Sequence, residues 1–88
     1  MTYYVYIVEC ADKSLYVGST NDLAKRIKQH NESKHGAHYT KIRRPVELKY
    51  SETFDTFKAA RARESEIKAW PREKKLNLIK RQLGFSTI

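Results

Sequence analysis

The sequence predicts a small α+β domain, a three-stranded antiparallel sheet flanked by helices. Three observations carry this expectation. Two aromatic and β-branched runs, residues 3–8 and 14–19, follow each other with only a short polar stretch between them, and strands in direct succession favour a hairpin. A third alternating run begins at Val46. The remaining segments carry apolar residues at the i, i+3, i+4 spacing of helices.

Tyr3 through Val8 is aromatic or β-branched on both alternating faces, as in a central strand covered on two sides. Ala11-Asp12-Lys13 is placed at the turn, and Ser14 through Ser19 forms a second, shorter strand. Asn21-Asp22 caps a helix whose Leu23 and Ile27 make an apolar stripe reaching about Ser33, with His35-Gly36 as its end. A polar, basic loop leads to Arg44-Pro45. Beyond it Val46, Leu48 and Tyr50 alternate with Glu47 and Lys49 as a half-buried third strand. Asp55 or Thr56 caps the next helix, whose periodic positions are Phe57, Ala60, Glu64 and Ile67. The last helix starts at Pro71, stops near Gly84, and is expected to pack on the core through Trp70, Leu76, Ile79 and Leu83.

No repeat or flexible linker divides the chain, so residues 1–88 are expected to form one domain. A chain of this size buries only roughly 60–65% of the surface it exposes when unfolded, which limits it to one modest core. Eighteen Lys and Arg against ten Asp and Glu leave a net charge of +8 distributed along the whole sequence. A polyanion is the natural partner, solubility alone being the plainer reading of such a balance. Cys10 is the sole cysteine, which excludes an intrachain disulfide, and the N-terminal residues lack the layout of a signal peptide. A cytoplasmic monomer is expected. No apolar run approaches the ~20 residues that cross a bilayer, so no membrane association is expected.

Arg26 and His30 lie one helical turn apart, on a face bordering the Leu23/Ile27 stripe. Phosphodiester hydrolysis needs a cation for charge developing on the phosphoryl oxygens, a base for the attacking water, and a group that steadies the leaving oxygen. Arg26 suits the first role because its planar fork grips two phosphate oxygens at once; the plainer reading makes it one more surface cation. Tyr6 and Tyr16 are the phenols expected at such a site, on one face of the hairpin if its loop has an odd number of residues. A free phenol has a pKa near 10 and needs nearby cationic charge to act as a base. Tyr3, Tyr4 and Tyr50 read as core. Glu64 falls on the apolar stripe of its helix, where a carboxylate requires a partner. An ion pair with Arg61 or Lys68 at helical spacing is one solution. A zinc site built from Cys10, His30, His35 and His38 is disfavoured by the absence of a paired-cysteine element.

Tyr4-Val5-Tyr6, Tyr16-Val17-Gly18, Arg26, His30 and Glu64 together resemble the GIY-YIG nuclease family, over nearly the whole chain. The likeness is to its small stand-alone bacterial members, with Tyr4 standing where the family motif has glycine. The resemblance implies a metal-dependent endonuclease acting on nucleic acid, with Tyr6, Tyr16, Arg26, His30 and Glu64 catalytic, Tyr6 as general base and Tyr16 orienting the site. It also implies Glu64 as the ligand of Mg2+ (or Mn2+), an ion that keeps much of its hydration shell and so needs few protein ligands. Gly18, His38, Lys41, Arg43, Arg44, Lys74 and Lys75 are the expected nucleic-acid contacts. DNA is the expected substrate, and the absence of a base-reading motif implies low sequence specificity. A non-catalytic nucleic-acid-binding module with the same fold, or a protein-interaction domain, are the alternatives.

Overall fold

Aromatic and β-branched runs joined by a tight turn do form a hairpin in the computed structural model, which describes residues 1–32 and 42–82. The elements are β1 (Tyr3–Cys10), β2 (Leu15–Thr20), α1 (Leu23–Glu32), β3 (Val46–Phe54), α2 (Phe57–Lys68) and α3 (Arg72–Gln82). The sheet order is β2-β1-β3, antiparallel throughout, so the strand with two apolar faces is the central one. The hairpin loop is residues 11–13: the Cys10 N–H donates to the Ser14 carbonyl at 2.8 Å and the Lys13 N–H to the Cys10 carbonyl at 2.9 Å, with Lys13 in the left-handed region at φ 72°. That is the three-residue hairpin of a tight turn followed by a left-handed residue. Tyr6 consequently faces Gly18 and Val8 faces Tyr16 across the pair. Even-numbered residues of β1 and β2 share one face of the sheet and odd-numbered residues the other.

Each face has its own helical cover. Tyr6, Val8, Cys10 and Val46 are buried on one side, with Tyr16 and the α1 residues Leu23 and Ile27 packed against them. Val5, Ile7, Val17 and Tyr50 are buried on the other, against Ala60 and Ile67 of α2 and Leu78 and Ile79 of α3. The caps are local and polar: the Lys25 N–H donates to Asp22 Oδ1 at 3.1 Å, and the Ala59 N–H to Thr56 Oγ1 at 3.1 Å. Among the described residues no helix is long and apolar enough to cross a membrane.

Three expectations about the core need correction. Val46, Leu48 and Tyr50 do not share a face, because Val8 pairs with Leu48 while Ile7 pairs with Tyr50, and the extra residue is a bulge. Val46 therefore joins the α1 side, Tyr50 the α2 side, and Leu48 remains 37% exposed. Phe57 is 52% exposed, being the first residue of α2, where it meets the Tyr3 ring at 5.7 Å instead of entering the core. Leu78, which the sequence reading passed over, is buried beside Ile79, whereas Leu76 and Trp70 lie at the core's margin. Leu83, with Ser33, His35, Gly36 and Gly84, lies outside the described residues.

Truncation should rank these positions. Leu78→Ala is expected to lower stability by ~2–4 kcal/mol in urea unfolding, whereas Leu76→Ala, only half-buried, should cost about 1 kcal/mol.

Candidate active site

His30 is fully buried between two phenols. Its ring meets Tyr16 at 5.3 Å and Tyr6 at 5.7 Å, both edge-on, and its Nε2 lies 2.7 Å from the Tyr6 hydroxyl. The strands supply the two tyrosines from one face, and α1 supplies His30 with Arg26 a turn before it. Arg26 hydrogen-bonds the Tyr6 hydroxyl as well as donating from Nη1 to Gln29 Oε1 at 3.1 Å. A guanidinium only donates, so the Tyr6 oxygen accepts from Arg26; between Tyr6 and Nε2 the donor is set by the imidazole tautomer.

The electrostatics keep both groups neutral. Burial, helped by the positive charges of Arg26 and Arg44, pushes the His30 imidazole down to about 4. Burial likewise pushes the Tyr6 hydroxyl up to about 12, outweighing the pull of Arg26. Tyr6 therefore holds its proton at neutral pH, which disfavours its expected role as general base. It is 1% exposed, whereas Tyr16 is half-buried and the more open of the two phenols.

Gly18 is buried and supports the site from beneath. A Cβ at that position would come within 2.4 Å of the Tyr6 hydroxyl and 2.6 Å of its ring carbon Cζ, so the tyrosine lies across the space a side chain would fill. This explains the glycine without any close approach of nucleic acid. Arg44 also has a structural task, donating from Nε to the His30 carbonyl and from Nη2 to the Gln29 carbonyl at 3.1 Å. These are carbonyls of the last turn of α1, which a cation satisfies well. Asn31 completes the anchorage, bonding both the N–H and the carbonyl of Val46 at 2.7 and 3.0 Å. Arg43 pairs with Asp12 of the hairpin loop at 3.1 Å. Both arginines expected on nucleic acid are thus engaged in holding the fold.

The carboxylate comes from the other side of the sheet. Ser19, one residue beyond Gly18 and so on the opposite face, donates to Glu64 Oε1 at 2.6 Å. Lys68 Nζ lies 2.9 Å from Oε2, and Arg61 Nε lies 3.6 Å from Oε1. Burial raises the Glu64 carboxyl, but the Ser19 hydroxyl and the two cations more than reverse this, leaving it ionised and below the usual carboxylate range. Because β2 is an edge strand, Lys68 reaches past it to lie 5.9 Å over the Tyr16 ring. The ammonium links the carboxylate on one face to the phenol on the other. Ser19 was not singled out by sequence; strand parity would have found it once α2 was known to cover the odd-numbered face.

Lys74 and Lys75 belong to α3, which packs on that odd-numbered face, away from the phenols. Lys74 instead lies 4.2 Å over the Trp70 ring. Lys25 and Lys28, not named from sequence, are exposed on α1 beside Arg26. Asn77 is exposed, and His38 and Lys41 lie outside the described residues.

Comparison with known proteins gives a consistent result. A family model described as the GIY-YIG catalytic domain matches residues 2–77. A UPF0213 protein of Staphylococcus saprophyticus is 57% identical over 88% of this chain and 93% of its own length. One from Haloquadratum walsbyi is 54% identical over 86% and 84%. Among solved structures, the solution NMR structure of a UPF0213 protein of Bacillus halodurans is similar, with a TM-score of 0.58 at 42% identity, covering 91% of this chain and 84% of that one. An E. faecalis protein, also solved by NMR, gives a TM-score of 0.63 at 34% identity with the same coverage.

The buried imidazole gives the domain a distinct pH response. In the unfolded chain His30 returns to about 6.5, so between there and about 4 the unfolded state binds the extra proton, and stability falls as pH drops through that window. Urea midpoints measured at pH 7.5 and 4.5 should fall for the wild type, and His30→Gln should flatten that part of the decline.

Proposed function

Since the chain belongs to the GIY-YIG catalytic-domain family, we propose that it is a metal-dependent endonuclease that hydrolyses phosphodiester bonds of DNA in the cytoplasm with low sequence specificity. The observation that supports this most is the convergence, from β1, β2 and α1, of Tyr6, Tyr16, Arg26 and His30, with Glu64 held ionised just around the β2 edge. A binding module would need only cations. Here two phenols, a guanidinium, an imidazole and a carboxylate are brought together, at the cost of burying a histidine.

Glu64 is the residue suited to hold the divalent cation. Among the described residues no group of three His, Cys, Asp or Glu side chains gathers as a metal site. A single ionised carboxylate nevertheless fits Mg2+, which retains several waters and takes further ligands from substrate phosphate. Such an ion supplies Lewis-acid polarisation of a phosphoryl oxygen. The chain's own residues do the rest. Arg26 neutralises the phosphate, Tyr16 meets the attacking water, and Tyr6, protonated and buried, fixes the orientation of Arg26 and His30. His30, held neutral, fixes the Tyr6 hydroxyl in place. Lys25 and Lys28 extend the positive surface along the DNA backbone.

One observation favours a second reading. Lys68 and Arg61 already neutralise Glu64, as they would in a non-catalytic nucleic-acid-binding module. Nicking of supercoiled plasmid with Mg2+ separates the two. The wild type should nick, whereas Arg26→Ala and Glu64→Gln should lose activity by at least about 100-fold, with Glu64→Gln still binding duplex within a few fold. Retained binding with no Mg2+-dependent nicking by the wild type would decide for the module.

A further inference from the structure

Lys68 occupies the Oε2 side of Glu64, a place that a divalent cation would take. Its Nζ lies 2.9 Å from Oε2, whereas Oε1 is engaged by Ser19 at 2.6 Å. The Lys68 side chain is 50% exposed and sits one helical turn beyond Glu64, so it is both close and free to swing. Arg61 is a weaker competitor: its Nε stands 3.6 Å away, and its guanidinium is drawn to the Phe57 ring, 5.6 Å from the centroid. From the same position the ammonium already lies 5.9 Å from the centre of the Tyr16 ring, so a small displacement from Glu64 keeps it beside the phenol.

Resting on the metal-dependent reading above, we propose that Lys68 is a built-in counter-ion of the metal-binding carboxylate, which the arriving divalent cation displaces toward Tyr16. Glu64 is then never left buried without a positive partner, which a carboxylate with a 10% exposed side chain requires. Metal binding is correspondingly an exchange of cations at one carboxylate. The displaced ammonium stays beside the open phenol, where it adds to the charge that meets a phosphate. Lys68 is in this sense a positioning residue: it sets the affinity of the site for metal and acts on the substrate only after leaving Glu64.

The test is Mn2+ affinity measured by isothermal titration calorimetry on the full chain. Lys68→Met should bind Mn2+ about fivefold tighter than the wild type, the effect of removing one competing charge at close range. Lys68→Arg should stay near the wild type, and Arg61→Met should change affinity less than Lys68→Met. In parallel, Mg2+ titration followed on the Lys68 Cε resonances should move them in the wild type and leave them in place in Glu64→Gln. Lys68→Met binding no tighter than the wild type, or Lys68 resonances indifferent to saturating Mg2+, overturns the exchange while leaving the metal site intact. Absence of Mn2+ binding in both wild type and Lys68→Met overturns the exchange together with the metal-dependent reading. Thermal melting of each variant identifies any loss of fold.

Discussion

A hydrogen bond buried between the Tyr6 hydroxyl and His30 Nε2, 2.7 Å long, is the constraint on which the rest of this site depends. It joins the central strand to α1 across the interior, so each partner must be aimed by its own element. The aim of Tyr6 requires that Gly18 carry no side chain, because the phenol lies where a Cβ would stand. The aim of His30 requires that the end of α1 be fixed, which Arg44 and Asn31 achieve by bonding the helix carbonyls and the start of β3. Tyr16 shares this face only because the hairpin loop has three residues. A loop one residue longer or shorter would turn it to the opposite side.

The two halves of the site solve desolvation in opposite ways. On the α1 side the buried groups stay neutral: His30 is pushed down to about 4 and Tyr6 up to about 12, so neither ionises near neutral pH. On the α2 side Glu64 stays charged because a hydroxyl and two cations face it. The difference follows from what each group can recruit. A protonated His30 would face Arg26 and Arg44, and like charges penalise it. Glu64 sits on a helix whose neighbouring turns carry Arg61 and Lys68, side chains long enough to keep one end in water.

Much of this was legible in the sequence because it rests on periodicity. The central strand, the turn at residues 11–13 and the burial of Glu64 beside Ala60 and Ile67 follow from spacing, and the caps fall within the pairs it offered, Asp22 of Asn21-Asp22 and Thr56 of Asp55-Thr56. What spacing missed depends on contacts distant in sequence. The bulge in β3 breaks a two-residue alternation that looks unbroken, so Val46 and Tyr50 separate to opposite faces. Arg43 and Arg44 look like any surface cations until Asp12 and the end of α1 are brought beside them. Leu76 and Leu78 are both apolar and only two residues apart, and nothing local tells which one faces the sheet. Gly18 was singled out, but its reason lies in a residue twelve positions earlier on the neighbouring strand.

The position of β2 at the sheet's edge determines how these parts combine. Phenols on the even-numbered face and a carboxylate on the odd-numbered face are separated by the thickness of the sheet, and a further strand beyond β2 would isolate them. Among the described residues no strand pairs outside β2, and the Lys68 ammonium lies near both Glu64 and the Tyr16 ring. The edge therefore does for this domain what a cleft between domains does in a larger enzyme. It lets one ammonium stand beside groups from opposite layers while each remains anchored in its own core. Arg26 reaches Tyr6 on the even-numbered face, with Lys25 and Lys28 exposed on the same helix, whereas α3 packs on the other face. Charge spread evenly through the sequence thus becomes uneven in space, and geometry, more than the total of +8, determines which cations stand beside the phenols.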